Sequence, residues 1–221
     1  MQSIYQAFQS SLKTLEGLVS PSICVSCHSF LGYADNKIIC KPCSSLLSKN
    51  MGTINSKDLP FEPNWTRAFY IFTYSALAKK LILRYKLHNH TWLEPLFMEY
   101  LKEQSIPWSS YDFITYIPSH AEKFRSQPSA ARQFSQLIAE HFNIPWQRML
   151  ARSIKTPKQS SLSRHIRQRA QRNTMLARRN HQGRVLIIDD VFTTGSTLNE
   201  GSRALIEAGL QVDVLAMSKS L

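Results

Sequence analysis

The 221-residue chain contains no run of about 18 apolar residues, so nothing in it reads as a membrane-spanning helix. Met1 to Ser20 lack a basic start followed by a continuous apolar core, so this end does not read as a secretion signal. No internal repeat is visible. Acidic residues are scarce, with 15 Asp and Glu against 27 Lys and Arg, for a formal net charge of +12. From Arg148 to Arg184 there are none at all. Cysteine is confined as well: the chain has four, at positions 24, 27, 40 and 43.

The acid-free segment carries eleven basic residues, among them Arg164, Arg167, Arg169 and Arg172. Charge runs are usually solvated faces, but one without compensating acids repels itself and suits a polyanion. Arginine forks match phosphate oxygens. The four named arginines are therefore the candidates for contact with a nucleic acid backbone. Trp146, just before the segment, is either a core residue or a stacking face for a base.

Cys24, Cys27, Cys40 and Cys43 form two C-x-x-C pairs. Each pair can place two thiolates on one turn, and two such turns complete a tetrahedral zinc site. Two disulfides are the alternative. Without an export signal the expected compartment is reducing, where disulfides are rare, so the reading is structural zinc with no open coordination position. The metal replaces a core that so short a segment cannot build.

Ile4, Phe8, Leu12, Leu15 and Val19 are spaced for a helix over residues 2–19. Residues 51–66, with Gly52, Asn55, Pro60, Pro63 and Asn64, read as a linker. A strand is expected over 67–74, then a helix capped by Ser75 and running to about Leu87, then a second helix from about 91 to 103. A buried strand follows at about 113–117. Ala130, Phe134, Leu137, Ile138 and His141 give another helical stripe. A helix over 197–208, with Gly209 at its end, and a strand over 211–217 complete the chain. Alternating strands and helices predict an α/β fold with a mainly parallel sheet flanked by helices. The expected domains are residues 1–60, helix and zinc module, and residues 61–221.

The most informative stretch is Val185-Leu-Ile-Ile-Asp-Asp-Val-Phe-Thr-Thr-Gly-Ser-Thr197. Four apolar residues read as a strand buried on both faces. Two carboxylates follow, which can accept hydrogen bonds from sugar hydroxyls or approach a metal ion. A glycine-containing loop rich in hydroxyls then feeds a helix N-terminus, whose free N–H groups suit a phosphate. Together these describe a site for a phosphorylated sugar. The stretch resembles the motif with which type I phosphoribosyltransferases bind phosphoribosyl pyrophosphate (PRPP). That resemblance implies that Asp189 and Asp190 hold the ribose hydroxyls, that Thr193, Thr194, Gly195, Ser196 and Thr197 cradle the 5′-phosphate, and that Mg²⁺ arrives with PRPP.

The order of parts, a four-cysteine module before such a domain, resembles the ComF family of competence proteins. Leu81-Ile82 with Lys86 resembles its L-I-x-x-x-K segment, Ile117-Pro118-Ser119-His120 its V-P-x-P-x turn, and Thr156 to Leu162 its T-x-x-Q-x-x-L segment. Arg125 departs from the family's R-G-F-N-Q, being followed by Ser126 and Gln127. The resemblance implies a pyrophosphate loop at Pro118, Ser119, His120, Lys123 and Arg125, and a type I phosphoribosyltransferase fold. It implies a role in natural transformation, in uptake or processing of incoming single-stranded DNA. The implied partners are PRPP and single-stranded DNA, with other competence or recombination proteins and a second copy of the chain as further candidates. The implied location is cytoplasmic or peripheral at the inner membrane. The fold alone also implies an alternative, a nucleotide-salvage or biosynthetic phosphoribosyltransferase acting on a small base. Purine-salvage relatives carry an acid three residues after the second carboxylate. Thr193 stands there in this chain, so no general base is named.

Overall fold

The computed structural model describes residues 22–32, 37–48, 52–88, 91–119, 128–152, 174–179 and 181–220. The expected helix over 2–19 lies outside them. The chain divides into two compact units, Met1–Asn50 and Met51–Leu221. In the first, β1 (Ser22–Ile23) pairs antiparallel with β2 (Phe30–Gly32), and α1 (Lys41–Ser48) follows.

The second unit is built on a five-stranded sheet. Its strands are β3 (Gly52–Thr53), β4 (Ala68–Thr73), β5 (Phe113–Tyr116), β8 (Gly183–Phe192) and β9 (Leu210–Lys219), in the spatial order β3-β4-β9-β8-β5. All neighbours pair in parallel except β3, an antiparallel edge strand of two residues. Between the strands lie α2 (Ala76–His88), α3 (Glu94–Lys102), α4 (Ala130–Phe142) and α5 (Ser196–Glu207). This is the expected α/β class. Ser75 caps α2 by accepting from the Ala78 N–H at 3.2 Å, and Ser129 caps α4 by accepting from Arg132 at 3.3 Å.

Val185 to Ile188 are fully buried. Val185 and Ile187 pack into a cluster with Leu198, Ala204 and Leu205 of α5 and with Val212 and Val214 of β9. No residue of α2, α3 or α4 belongs to that cluster. Those helices are held by a separate group of rings, in which Phe72, Tyr85 and Phe134 surround Phe97 at 5.3–6.1 Å between centroids. The sheet is therefore covered on both faces, as four consecutive apolar residues in one strand require.

Three expectations change. Residues 51–66 are not a plain linker: β3 joins the sheet, and a 3₁₀ turn, Ser56–Asp58, is capped by Asn55, which accepts from Lys57 N at 3.0 Å. The stripe of α4 is buried at Ala130, Phe134 and Ile138, but Leu137 is half-buried and His141 exposed; Ala131, Ser135 and Ala139 complete the inner face. The acid-free segment contains an antiparallel pair, β6 (Leu150–Arg152) and β7 (Met175–Ala177), that charge alone did not reveal. This hairpin packs on α5 where Gly201 leaves no side chain. A Cβ there would come within 2.6 Å of Ile117 Cδ1 and 3.2 Å of Leu150 Cδ1. Arg203 adds hydrogen bonds to the Met175 carbonyl at 3.1 Å and to Glu200 at 2.8 Å.

Candidate functional site

β8 pairs unequally with its two neighbours. Against β5 the pairing ends at Ile188, where Ile117 N donates to the Ile188 carbonyl at 2.9 Å. Against β9 it continues to Phe192, opposite Lys219. The strand is thus longer than the apolar run, and Asp189 and Asp190 lie on a stretch supported from one side. Both are half-buried, at the carboxyl end of a parallel strand, where open α/β sheets bind ligands.

The backbone orients both acids. Asp189 Oδ1 accepts from the Asp190 N–H at 2.9 Å, and Asp190 Oδ1 accepts from the Val191 N–H at 2.9 Å. Lys86, from the last turn of α2, forms an ion pair with Asp190 Oδ2. Burial first, and then the charge of Asp190, push the Asp189 carboxyl up to about 8; the Asp190 N–H and Lys86 only partly offset this. A second cation approaches from the hairpin. Arg152 donates from Nε to the Pro118 carbonyl at 2.6 Å. Burial lowers its pKa while the charge of Asp189 opposes the shift.

The loop after β8 has the form expected of a phosphate cradle. Gly195 takes φ 76° and caps α5 without a side-chain hydrogen bond. A Cβ there would approach Phe192 to 2.6 Å and Phe61 to 3.3 Å, so the position requires glycine for space as well as for φ. Thr193, Thr194 and Thr197 are exposed and Ser196 half-buried. The Thr194 and Ser196 hydroxyls lie 2.9 Å apart. Beneath the loop, Trp65 meets both Phe61 and Phe192 edge-on at 6.1 Å. The Asn64 N–H donates to Asn199 Oδ1, in the first turn of α5, at 2.7 Å.

The structure brings Asp189, Asp190 and residues 193–197 together. Pro118 is buried and Ser119 half-buried at the end of β5. His120, Lys123 and Arg125 lie outside the described residues, as do Arg164, Arg167, Arg169 and Arg172. Trp146 is half-buried, stacked on Tyr116 with ring centroids 5.9 Å apart, and donates from Nε1 to Ser135 at 2.7 Å. Sequence reasoning assigned no site role to Lys86 or Arg152. Lys86 stood in a recognisable segment, but nothing local says that α2 ends beside the acids.

In the first unit the four cysteines converge, with all Sγ atoms within 4.8 Å of one another. The Cys27 and Cys40 sulfurs are 3.6 Å apart. A zinc–sulfur bond of about 2.3 Å in a tetrahedron implies sulfurs about 3.8 Å apart, so the cluster fits such a metal. The four are free thiols. Hydrogen bonds from Ser29 hold the Cys27 thiol down to about 6. At Cys43 the Ser26 hydrogen bond is outweighed by burial and by the three other cysteines, which push the thiol up to about 12. These cysteines are arranged to bind a metal ion.

No protein-family model matches the chain. It is 28% identical over 162 residues to competence protein F of Haemophilus influenzae, covering 68% of this chain and 71% of that protein. It is 29% identical over 146 residues to competence protein ComFC of Streptococcus pneumoniae, covering 63% of this chain and 61% of that one. The chain is a homologue of these competence proteins. Orotate phosphoribosyltransferase from Aeropyrum pernix is similar in fold at 10% identity and a TM-score of 0.40, over 80% of this chain and 89% of that one. No helix among the described residues is long and apolar enough to cross a membrane.

The raised Asp189 pKa has a measurable consequence. Between an unfolded value of about 3.9 and the folded value of about 8, unfolding releases a proton. Stability therefore falls as pH rises through that interval and levels off above it. Asp189→Asn removes this term. The melting temperature of the variant relative to the parent should rise from pH 4 to pH 8; a constant difference would show that Asp189 titrates normally.

Proposed function

We propose that the second unit binds PRPP with Mg²⁺ and that the protein acts in natural transformation, in uptake or processing of incoming single-stranded DNA. The observation that carries the PRPP reading is the juxtaposition at the end of β8 of two backbone-oriented carboxylates and a glycine loop that opens α5. The acids accept from the 2′- and 3′-hydroxyls of ribose. The loop N–H groups and the positive end of α5 hold the 5′-phosphate. The pyrophosphate is assigned to the end of β5 at Pro118 and Ser119, with Lys123 and Arg125, further along the sequence, as its proposed cationic partners. Mg²⁺ arriving with PRPP would neutralise its polyphosphate charge. Displacement at C1 would build positive charge on the sugar, which the acid pair is placed to stabilise. Thr193 is exposed where purine-salvage relatives carry an acid, which favours the transformation reading over salvage of a small base. The transformation role itself is supported by homology to competence proteins and by the acid-free segment. Cytoplasmic residence, with peripheral contact at the inner membrane, accords with that role.

We further propose that the metal of the cysteine cluster is zinc and that it is structural, because four thiolates leave no open position. Metal analysis of purified protein should give about one zinc per chain. Cys40→Ser should lose the zinc and unfold the first unit, because binding energy there is folding energy. Metal-free protein with all four cysteines in disulfides would contradict this.

Calorimetry decides the ligand. Mg-PRPP should bind the parent, and Asp189→Ala with Asp190→Ala should abolish binding; equal affinity in the two proteins would show that the acids are not the ribose clamp.

Single-stranded oligonucleotide should bind through residues 148–184. Affinity should fall linearly with salt on logarithmic axes, with a slope of about −0.7 per phosphate neutralised. Charge reversal at Arg164, Arg167 and Arg169 should reduce both affinity and slope while leaving zinc content intact. Unchanged binding in that variant would restrict the segment to closing over PRPP.

A further inference from the structure

Lys86 reaches the acid pair from a position 104 residues away in the chain. The contact is between partly exposed groups, with the side chains 40% and 22% accessible. Ion pairs this exposed are weakly held and easily displaced. Yet the oxygen involved is the one that matters. Asp190 Oδ1 is already engaged by the Val191 N–H, so Oδ2 is the acceptor that faces away from the backbone. If the acids take a sugar diol, as proposed above, one hydroxyl needs Asp190 Oδ2, and the Lys86 ammonium stands on it.

The direction from which Lys86 comes adds a second constraint. The phosphate loop and α5 belong to the face of the sheet whose cluster includes Val185, Ile187, Leu198 and Leu205. Lys86 follows Tyr85, which packs edge-on against Phe97 of α3 at 5.3 Å and against Phe134 of α4 at 6.4 Å, in the other set of contacts. The acid pair lies between them. A sugar with its diol on the acids and its 5-phosphate in the loop directs C1 away from the loop, toward α2. A lysine has a long flexible stem and a compact charge, so an ammonium displaced from Asp190 can stay close to whatever C1 carries.

We propose that Lys86 distinguishes sugars with an anionic group at C1 from those without one: the bound diol takes Asp190 Oδ2 from the ammonium, and a C1 pyrophosphate re-engages it. A sugar phosphate with a bare C1 hydroxyl breaks the same ion pair and provides no replacement. The residue therefore acts as counter-ion to Asp190 before a sugar binds and as a specificity contact afterwards. This inference rests on the PRPP reading of the site.

The test compares two ligands on three proteins. Dissociation constants for Mg-PRPP and for ribose 5-phosphate with Mg²⁺ are measured by calorimetry, at one salt concentration, on the parent chain, Lys86→Met and Lys86→Arg. Melting curves establish that each protein is folded. In the parent, PRPP binds more tightly than ribose 5-phosphate. In Lys86→Met that preference should fall about tenfold, the scale of one lost charge-assisted contact, because PRPP weakens while ribose 5-phosphate does not. Lys86→Arg should retain most of the preference. Equal weakening of both ligands in Lys86→Met, with the ratio unchanged, would overturn the inference and leave Lys86 a structural ion pair. Failure of the parent to bind either ligand would instead overturn the PRPP reading, and this inference with it.

Discussion

The unequal pairing of β8 is the constraint on which the rest of the site depends. A strand in the middle of a parallel sheet normally has both edges occupied. Here β5 leaves at Ile188 while β9 continues to Phe192. The four residues between carry the acid pair and lead into the glycine loop that opens α5. Had β5 continued alongside them, a ligand would have met a closed sheet. Had β9 also departed, the two acids would have lost the backbone that aims them. Supported on one side, the stretch is ordered enough to orient both carboxylates and open enough to receive a ligand.

That opening has an electrostatic cost. Burial disfavours the charged form of Asp189, and the charge of the adjacent Asp190 adds to it, so its pKa is raised. The protein compensates with cations drawn from distant parts of the chain. Lys86 comes from the end of α2 and Arg152 from the hairpin. The same arrangement suits a ligand that brings hydroxyl donors or a divalent cation, which would replace the compensation it displaces. The surrounding packing is rigid by contrast. Phe61, Trp65 and Phe192 form a floor under the loop, and Gly195 fits against it only because it lacks a side chain.

The hairpin ties the basic segment to this machinery. β6 and β7 flank residues 153–173 and pack on α5 through the gap left at Gly201. The Glu200–Arg203 pair fastens β7 to α5, the helix that begins at Gly195. Both ends of the positively charged segment are therefore fixed next to the candidate sugar site. In the other unit, four thiols brought within a few ångströms take on opposed proton affinities, low at Cys27 and high at Cys43. A divalent metal bound by all four as thiolates would remove that conflict.

What could be read without coordinates follows from short-range chemistry. Val185 to Thr197 announce a buried strand, two acids and a glycine loop that opens a helix because strand propensity, burial and the turn requirement at Gly195 are all local. The C-x-x-C pairs are legible for the same reason: each pair is one turn of chain. The stripe of α4, the cap at Ser75 and the end of α5 at Gly209 likewise depend on neighbours within a few residues. The tertiary structure decided what long-range contacts decide. The Lys86–Asp190 pair spans 104 residues, and no local pattern encodes where the end of α2 will fall. The β6–β7 hairpin was hidden because strands of three residues embedded in charge carry too little periodicity to register. Whether β8 ends at Ile188 or Phe192 depended on which neighbouring strand departs first, and that is fixed by the packing of β5 and β9 rather than by β8 itself.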